Sequence, residues 1–221
     1  MTQILGVVSQ KGGVGKSTVA RLVAREYATA GWQVKIADMD VSQATSYYWQ
    51  SRRLHHQVEP VIAVEQFQSV DQALRIASSY DLLVFDGAPH ATATTLKIAQ
   101  HSNLIILPTG LALDDLEPTV RLAHELKKHG IPVNQLAIAL CRIGDSNPEI
   151  KEATSYIEQA GYCVLPGALP ERIAYRRASD IGRAATETNH PSLNRKADQL
   201  VQAIVDKMTN LTKQTKQKGM A

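Results

Sequence analysis

Residues Gln10-Lys11-Gly12-Gly13-Val14-Gly15-Lys16-Ser17-Thr18 constrain this chain more than any other stretch. An apolar segment, Ile4 to Ser9, runs into them, and an amphipathic segment follows at once. Glycines let successive backbone N–H groups curl round an anion, and a helix starting here adds the positive end of its dipole. Lys16 is placed to reach the outer phosphates of a nucleotide and the Ser17 hydroxyl to enter the shell of a magnesium ion. Thr18 can add a contact on the α-phosphate side.

The rest of the chain repeats the same alternation of short apolar runs and longer amphipathic stretches, the pattern of βα units around a parallel sheet. Strands are expected at Ile4–Val8, Val34–Asp38, Val61–Val64, Leu82–Asp86, Leu104–Leu107, Leu136–Cys141 and, weakly, Cys163–Leu165. They are rich in Val, Ile and Leu on both faces, as strands covered by helices on both sides should be. Helices are expected at Lys16–Ala30, Gln43–Arg53, Ser69–Ser79, Thr92–Gln100, Leu113–His129 and Pro148–Ala160. Gly31, Gly130 and Gly161 follow three of them, where a helix stop is wanted. After Pro166 the pattern turns to helices only, Tyr175–Thr188 and Ser192–Leu211, the last with Leu193, Ala197, Leu200, Ile204 and Leu211 on one stripe. The expectation is one α/β domain over residues 1–211, with a mostly parallel sheet and helices on both faces. A solvated basic tail over 212–221 carries Lys213, Lys216 and Lys218.

With 44% hydrophobic composition over 221 residues, the chain suits one well-buried domain. The net charge is +3, but residues 171–221 carry ten Lys/Arg against five Asp/Glu, a local +5 that leaves −2 for the rest. Such asymmetry permits a polyanion at the C-terminal end. Cys141 and Cys163 lack CxxC spacing and His neighbours, so buried free thiols are expected rather than metal or redox chemistry. No apolar run reaches the ~18 residues of a membrane span, and no signal-peptide pattern precedes Ile4. The expectation is a soluble cytoplasmic protein.

Carboxylates stand where open α/β sheets bind ligands, beyond the carboxyl ends of strands. Asp38 and Asp40 close the second strand, and either could instead cap the next helix. Leu82-Leu83-Val84-Phe85-Asp86 is an apolar strand ending in an Asp able to hold a magnesium-bound water, and Gly87-Ala88-Pro89 follows. His90 in that loop reads as exposed.

The form K-G-G-x-G-K-[ST] at Lys11 to Ser17, with Gln10 where the common phosphate loop has Gly, resembles the deviant Walker A motif of the ParA/MinD family of P-loop NTPases, closest to small ParA partition ATPases. The resemblance spans residues 3 to about 208. It implies a weak Mg-dependent ATPase that binds ATP and ADP through Gly12, Gly13, Val14, Gly15, Lys16, Ser17 and Thr18 and forms a homodimer on ATP. In the family the early lysine, here Lys11, reaches the partner's nucleotide, resembling an arginine finger in its electrostatic role. Asp40 would then position the attacking water, and Ser17, Asp38 and Asp86 would serve the Mg²⁺, Asp38 from one layer further out. Arg142 and Pro170 would line the adenine. The family commonly continues D-P-Q after the second Asp, whereas this chain has Asp40-Val41-Ser42-Gln43, which departs from that loop.

Arg172 to Thr188 resembles the C-terminal region of partition ATPases. In those proteins the ATP dimer binds duplex DNA without sequence preference, and a ParB-type adaptor stimulates hydrolysis and release. The resemblance therefore implies DNA contacts from Arg172, Arg176, Arg177, Arg183, Arg195 and Lys196, and nucleoid association. A solvated helical face paired to Glu171, Asp180 and Glu187 is the other reading. A membrane-cycling relative of the MinD type needs a terminal amphipathic anchor that the Lys- and Thr-rich tail does not supply. A metabolic ligase of related fold would spend Lys11 on a small substrate. Iron proteins of the family need paired cluster cysteines.

Overall fold

The computed structural model describes residues 2–90 and 92–218. Seven strands form one parallel sheet: β1 (Gln3–Val7), β2 (Val34–Asp38), β3 (Ala63–Gln66), β4 (Leu82–Asp86), β5 (Leu104–Thr109), β6 (Leu136–Ile143) and β7 (Cys163–Pro170). Their order across the sheet is β3-β2-β4-β1-β5-β6-β7, and every pairing is parallel. The chain thus steps from β1 outward to β3, returns to β4 beside β1, and then walks the other way to β7. Among the described residues eight α-helices connect the strands: α1 (Lys16–Thr29), α2 (Thr45–His55), α3 (Val70–Arg75), α4 (Thr92–His101), α5 (Leu113–Lys128), α6 (Asn147–Gln159), α7 (Ile173–Asp180) and α8 (Pro191–Lys218).

The alternation along β4 shows why both faces must be covered. Leu82 and Val84 belong to one buried cluster, with α1, Trp49 of α2 and the α8 residues Ala197, Leu200, Val201, Ile204 and Met208. Leu83 and Phe85 belong to the other, with residues of α3, α4, α5 and α6. Burial of each such Leu or Ile side chain contributes ~1.5–3 kcal/mol. The α8 stripe is therefore a sheet-covering face. Among the described residues no helix is long and apolar enough to cross a membrane.

Several local expectations change. β7 continues five residues past Leu165, taking in Pro166 and Pro170; it lies at the sheet edge, where a missing N–H is tolerated. The helix expected at Tyr175–Thr188 starts at Ile173 and stops at Asp180, and Ala185–Glu187 forms only a 3-10 turn. Gly182 takes a left-handed φ of +75°, which a right-handed helix cannot continue through, and it packs so closely that a Cβ there would run into the backbone of Arg53. α8 continues through Lys218, past Thr212 where the solvated tail is expected to begin, and residues 219–221 lie outside the described residues. Cys141 is buried and burial pushes its thiol up to about 12, whereas Cys163 is exposed on the edge strand, against the expectation of two buried thiols.

Candidate phosphate-binding cleft

Because all strands are parallel, the loops after β1, β2, β4, β6 and β7 open on the same edge, and they enclose a cleft of about 720 Å³. At its floor the loop after β1 turns into α1 through Gly15, at φ +107°. A Cβ at Gly15 would also sit 3.1 Å from Cys141 Cβ, so a side chain here is opposed by both the backbone and the neighbouring strand. Lys16 is buried, and its Nζ donates to the carbonyl of Lys11 at 2.9 Å. Burial lowers its pKa, while Asp86 and Asp40 oppose the shift. Gly12, Gly13, Gly15, Lys16, Ser17 and Thr18 all line the cleft. Val14 is buried and borders a separate groove instead.

Arg142 holds this loop from the end of β6: Nη1 donates to the carbonyl of Gly13 at 2.7 Å, and Nε donates to Glu171 at 2.8 Å. It lines the cleft, as does Pro170 at the end of β7. Lys11 diverges from Lys16. Its ammonium ion-pairs with Asp115 and donates to the carbonyl of Asp114 at 3.0 Å, at the start of α5 and in the neighbouring groove.

The three carboxylates take distinct positions. Asp86 is buried; one oxygen accepts from Ser46 Oγ at 2.6 Å and the other, Oδ1, has no hydrogen-bond partner among the described residues. Burial pushes its pKa upward, and Ser46, Arg21, Ser17 and Lys16 counter the shift. An unpaired buried carboxylate oxygen beside a serine hydroxyl and a phosphate cradle is a donor set that suits a hard cation sharing ligands with phosphate. Asp40 lines the cleft; Oδ1 accepts from Ser42 Oγ at 2.6 Å and from the Gln43 N–H at 3.1 Å. The Val41-Ser42-Gln43 loop therefore wraps one carboxylate oxygen of Asp40, and Gln43 reaches the cleft wall.

Asp38 caps α2. Its Oδ2 accepts from the N–H groups of Ser46 and Tyr47 at 2.9 and 3.0 Å, and Oδ1 accepts from the Asp40 N–H at 3.2 Å. Ala44 makes this possible: at φ 49° it turns the first helical N–H groups back toward β2. Burial, then the neighbouring Asp86, raise Asp38 to about 6. Its carboxylate is thus engaged by backbone, as in the capping alternative; it stands beside Asp86 on the neighbouring strand but, unlike Asp86, does not line the cleft.

The six basic residues proposed for a polyanion divide. Arg172, Arg176, Arg177 and Arg183 border the cleft from α7 and the residues on either side of it, whereas Lys196 borders a different hollow beside β7. Arg172 pairs with Asp145, Arg176 with Glu171, and Arg183 donates to Asn189 at 3.3 Å. Arg177, Arg195 and Lys196 are exposed, with no side-chain partner among the described residues.

Two residues of the site escape sequence reasoning. Ser46 joins α2 to Asp86, and Arg21 joins α1 to Ser46 at 3.1 Å. Arg21 follows Ser17 by four residues and so shares its helix face, flanked by the buried Ala20 and Leu22; that is the one signal the sequence holds.

Residues 5–184 match the sequence family described as the CobQ/CobB/MinD/ParA nucleotide-binding domain. No curated protein matches the chain in sequence. Among solved structures it is similar to the cell division ATPase MinD of Pyrococcus furiosus, at 19% identity and a TM-score of 0.72, covering 93% of this chain and 99% of the other. It is also similar to the septum site-determining protein MinD of Pyrococcus horikoshii OT3 complexed with Mg-ADP (18%, 0.71, 92% and 96%). A third match is described as a plasmid partition protein of Borrelia burgdorferi B31 bound to AMPPNP (16%, 0.71, 94% and 100%).

Proposed function

Because this chain belongs to the CobQ/CobB/MinD/ParA nucleotide-binding family, we propose that it is a Mg-dependent ATPase of DNA segregation, which dimerises on ATP and then binds duplex DNA. The observation that carries the ATP site is the pairing of the glycine cradle and buried Lys16 with Asp86, whose Oδ1 is buried and unpaired among the described residues. Ser17 and Asp86 would hold the cation and Lys16 with the loop amides the phosphates. Bound Mg²⁺ would offset phosphate charge during transfer to water. Asp40 is the group able to orient that water. Arg142 and Pro170 wall the cleft where the base would lie.

A second copy of the chain is supported by what surrounds the cleft. Of the exposed large apolar side chains, Val41, Tyr47, Tyr48, Leu113 and Ile173 lie on loops or early helical turns at the carboxyl edge of the sheet, whereas Leu54 and Val61 lie at the end of α2 and just before β3. Apolar groups gathered round one rim favour a covering surface. Lys11 also lies outside its own cradle. Its trans role requires release from Asp115, so Lys11→Ala should lower the dimer fraction formed with a slowly hydrolysed ATP analogue in sedimentation. Equal dimer fractions for mutant and parent would reject the trans role.

DNA binding is supported by the basic excess after residue 171 and by Arg177, Arg195 and Lys196, which are exposed without partners among the described residues. Pairing two subunits doubles the phosphate contacts available at once. Duplex binding should therefore appear with ATP and not with ADP. Replacing Arg176 and Arg177 should flatten the slope of log affinity against log salt by about 0.9 for each phosphate no longer neutralised, with no change in sequence preference. ATP and ADP forms that bind alike would move the protein toward a metabolic or MinD-like role. A ParB-type adaptor fits the same reading, its signature being turnover that rises only when adaptor and DNA are both present.

A further inference from the structure

Arg21 in the middle of α1 is a buried cation, 5% exposed. Its guanidinium reaches two other helices. Nε donates to Ser46 Oγ on α2 at 3.1 Å, Nη1 donates to Ser179 Oγ on α7 at 3.2 Å, and the group lies over the Trp49 ring at 5.5 Å. Nη2 is buried with no hydrogen-bond partner among the described residues, and Arg21 lines the cleft. Ser46 Oγ in turn donates to Asp86 Oδ2 at 2.6 Å. A continuous path therefore runs from Asp86 through Ser46 and Arg21 to Ser179.

We propose that Arg21 is a positioning residue that ties the Asp86 carboxylate to α7 through Ser46 and Ser179, so that the helix carrying Arg176 and Arg177 responds to what Asp86 binds. The proposal rests on the reading of the cleft as a Mg-nucleotide site and does not require DNA binding.

A simple counter-ion role would explain why a guanidinium accompanies a buried carboxylate. It would not explain the bond to Ser179, which lies beyond Asp86 on another element. Ser179 is gripped twice, because Arg52 Nε also donates to its carbonyl at 3.3 Å. Just past it, Arg53 donates to the Gly182 carbonyl at 2.9 Å and pairs with Glu187 at 2.7 Å, and Trp49 donates to the Arg183 carbonyl at 3.1 Å. The C-terminal end of α7 is thus bolted to α1 and α2. Its N-terminal end is tied elsewhere: Tyr175 Oη donates to the Leu193 carbonyl in α8 at 2.7 Å, and Arg176 pairs with Glu171, while Ile173 is 60% exposed. A shift of Arg21 or α2 therefore reaches α7 directly through Ser179. Two atoms on the path, Asp86 Oδ1 at its start and Arg21 Nη2 at its third member, lack a partner among the described residues, and both residues line the cleft where a ligand would bind.

Ser179 is the link to test, since Ser179→Ala removes the far bond and leaves the charge of Arg21 and the Ser46–Asp86 contact in place. Hydrogen exchange of the full chain is followed over residues 173–180, with and without Mg²⁺ and a non-hydrolysable ATP analogue, at saturation verified for each variant. In the parent, nucleotide should slow exchange there by about tenfold, the equivalent of one hydrogen bond to a charged group. Ser179→Ala should lose most of that response and Ser179→Thr should keep it. An α7 that ignores nucleotide in the parent, or responds equally in Ser179→Ala, would overturn the proposal. A parent whose α7 responds but which binds no DNA in either nucleotide state leaves the relay standing and removes the DNA reading.

Discussion

Replacing Lys16 with alanine is expected to abolish Mg-ATP binding, the largest effect any single substitution should have on this protein. The ammonium sits at the floor of the cleft and is buried, with its proton donated to the Lys11 carbonyl in the same loop. It is therefore held in place for phosphate oxygens before they arrive. Two charge-assisted bonds to phosphate, each contributing ~1.5–3 kcal/mol, correspond to a loss of affinity of at least ~100-fold. Titration with a fluorescent ATP analogue checks this, and circular dichroism establishes that the variant is folded. The second control matters, because Lys16 also offsets the buried charge of Asp86. A folded variant with affinity near that of the parent would mean that the glycine loop is structural only and that the cleft binds something else.

The same residue shows why part of the site is readable from sequence. The cradle is built from consecutive positions, so spacing alone defines it, and the structure brings Gly12 through Thr18 to one turn at the start of α1. β2 and β4 end where expected because both faces of each strand are buried and a carboxylate closes the apolar run. Contacts between distant residues are a different matter. Asp38 turns to the α2 N-terminus because Ala44 adopts a left-handed backbone, which no residue type at that position announces. Arg21 meets Ser179 across 158 residues, and the end of α7 is set by Gly182 packing on Arg53 rather than by the periodicity of its own residues. The basic residues after 171 read as one patch in sequence, yet they divide between the cleft rim and α8, because Gly182 and the 3-10 turn separate the two helices.

Substituting Asp40 is expected to separate hydrolysis from binding. Its carboxylate lines the cleft, yet it takes no part in the cradle that would hold phosphates. Asp40→Ala should therefore keep ATP, accumulate the dimer and lower turnover at least ~10-fold, the usual loss when an acid–base group is removed. One complication is visible in the structure. Asp40 Oδ1 also fixes Ser42 and the Gln43 N–H, so alanine would loosen the loop as well as delete the charge. Asp40→Asn resolves this, because an amide oxygen can still accept those two bonds while the side chain no longer carries a negative charge toward water. If Asp40 orients and polarises the nucleophile, both variants should be slow. A fast Asp40→Asn beside a slow Asp40→Ala would assign the residue to loop geometry, and the search for the group that positions water would then move to Gln43, which shares the cleft wall.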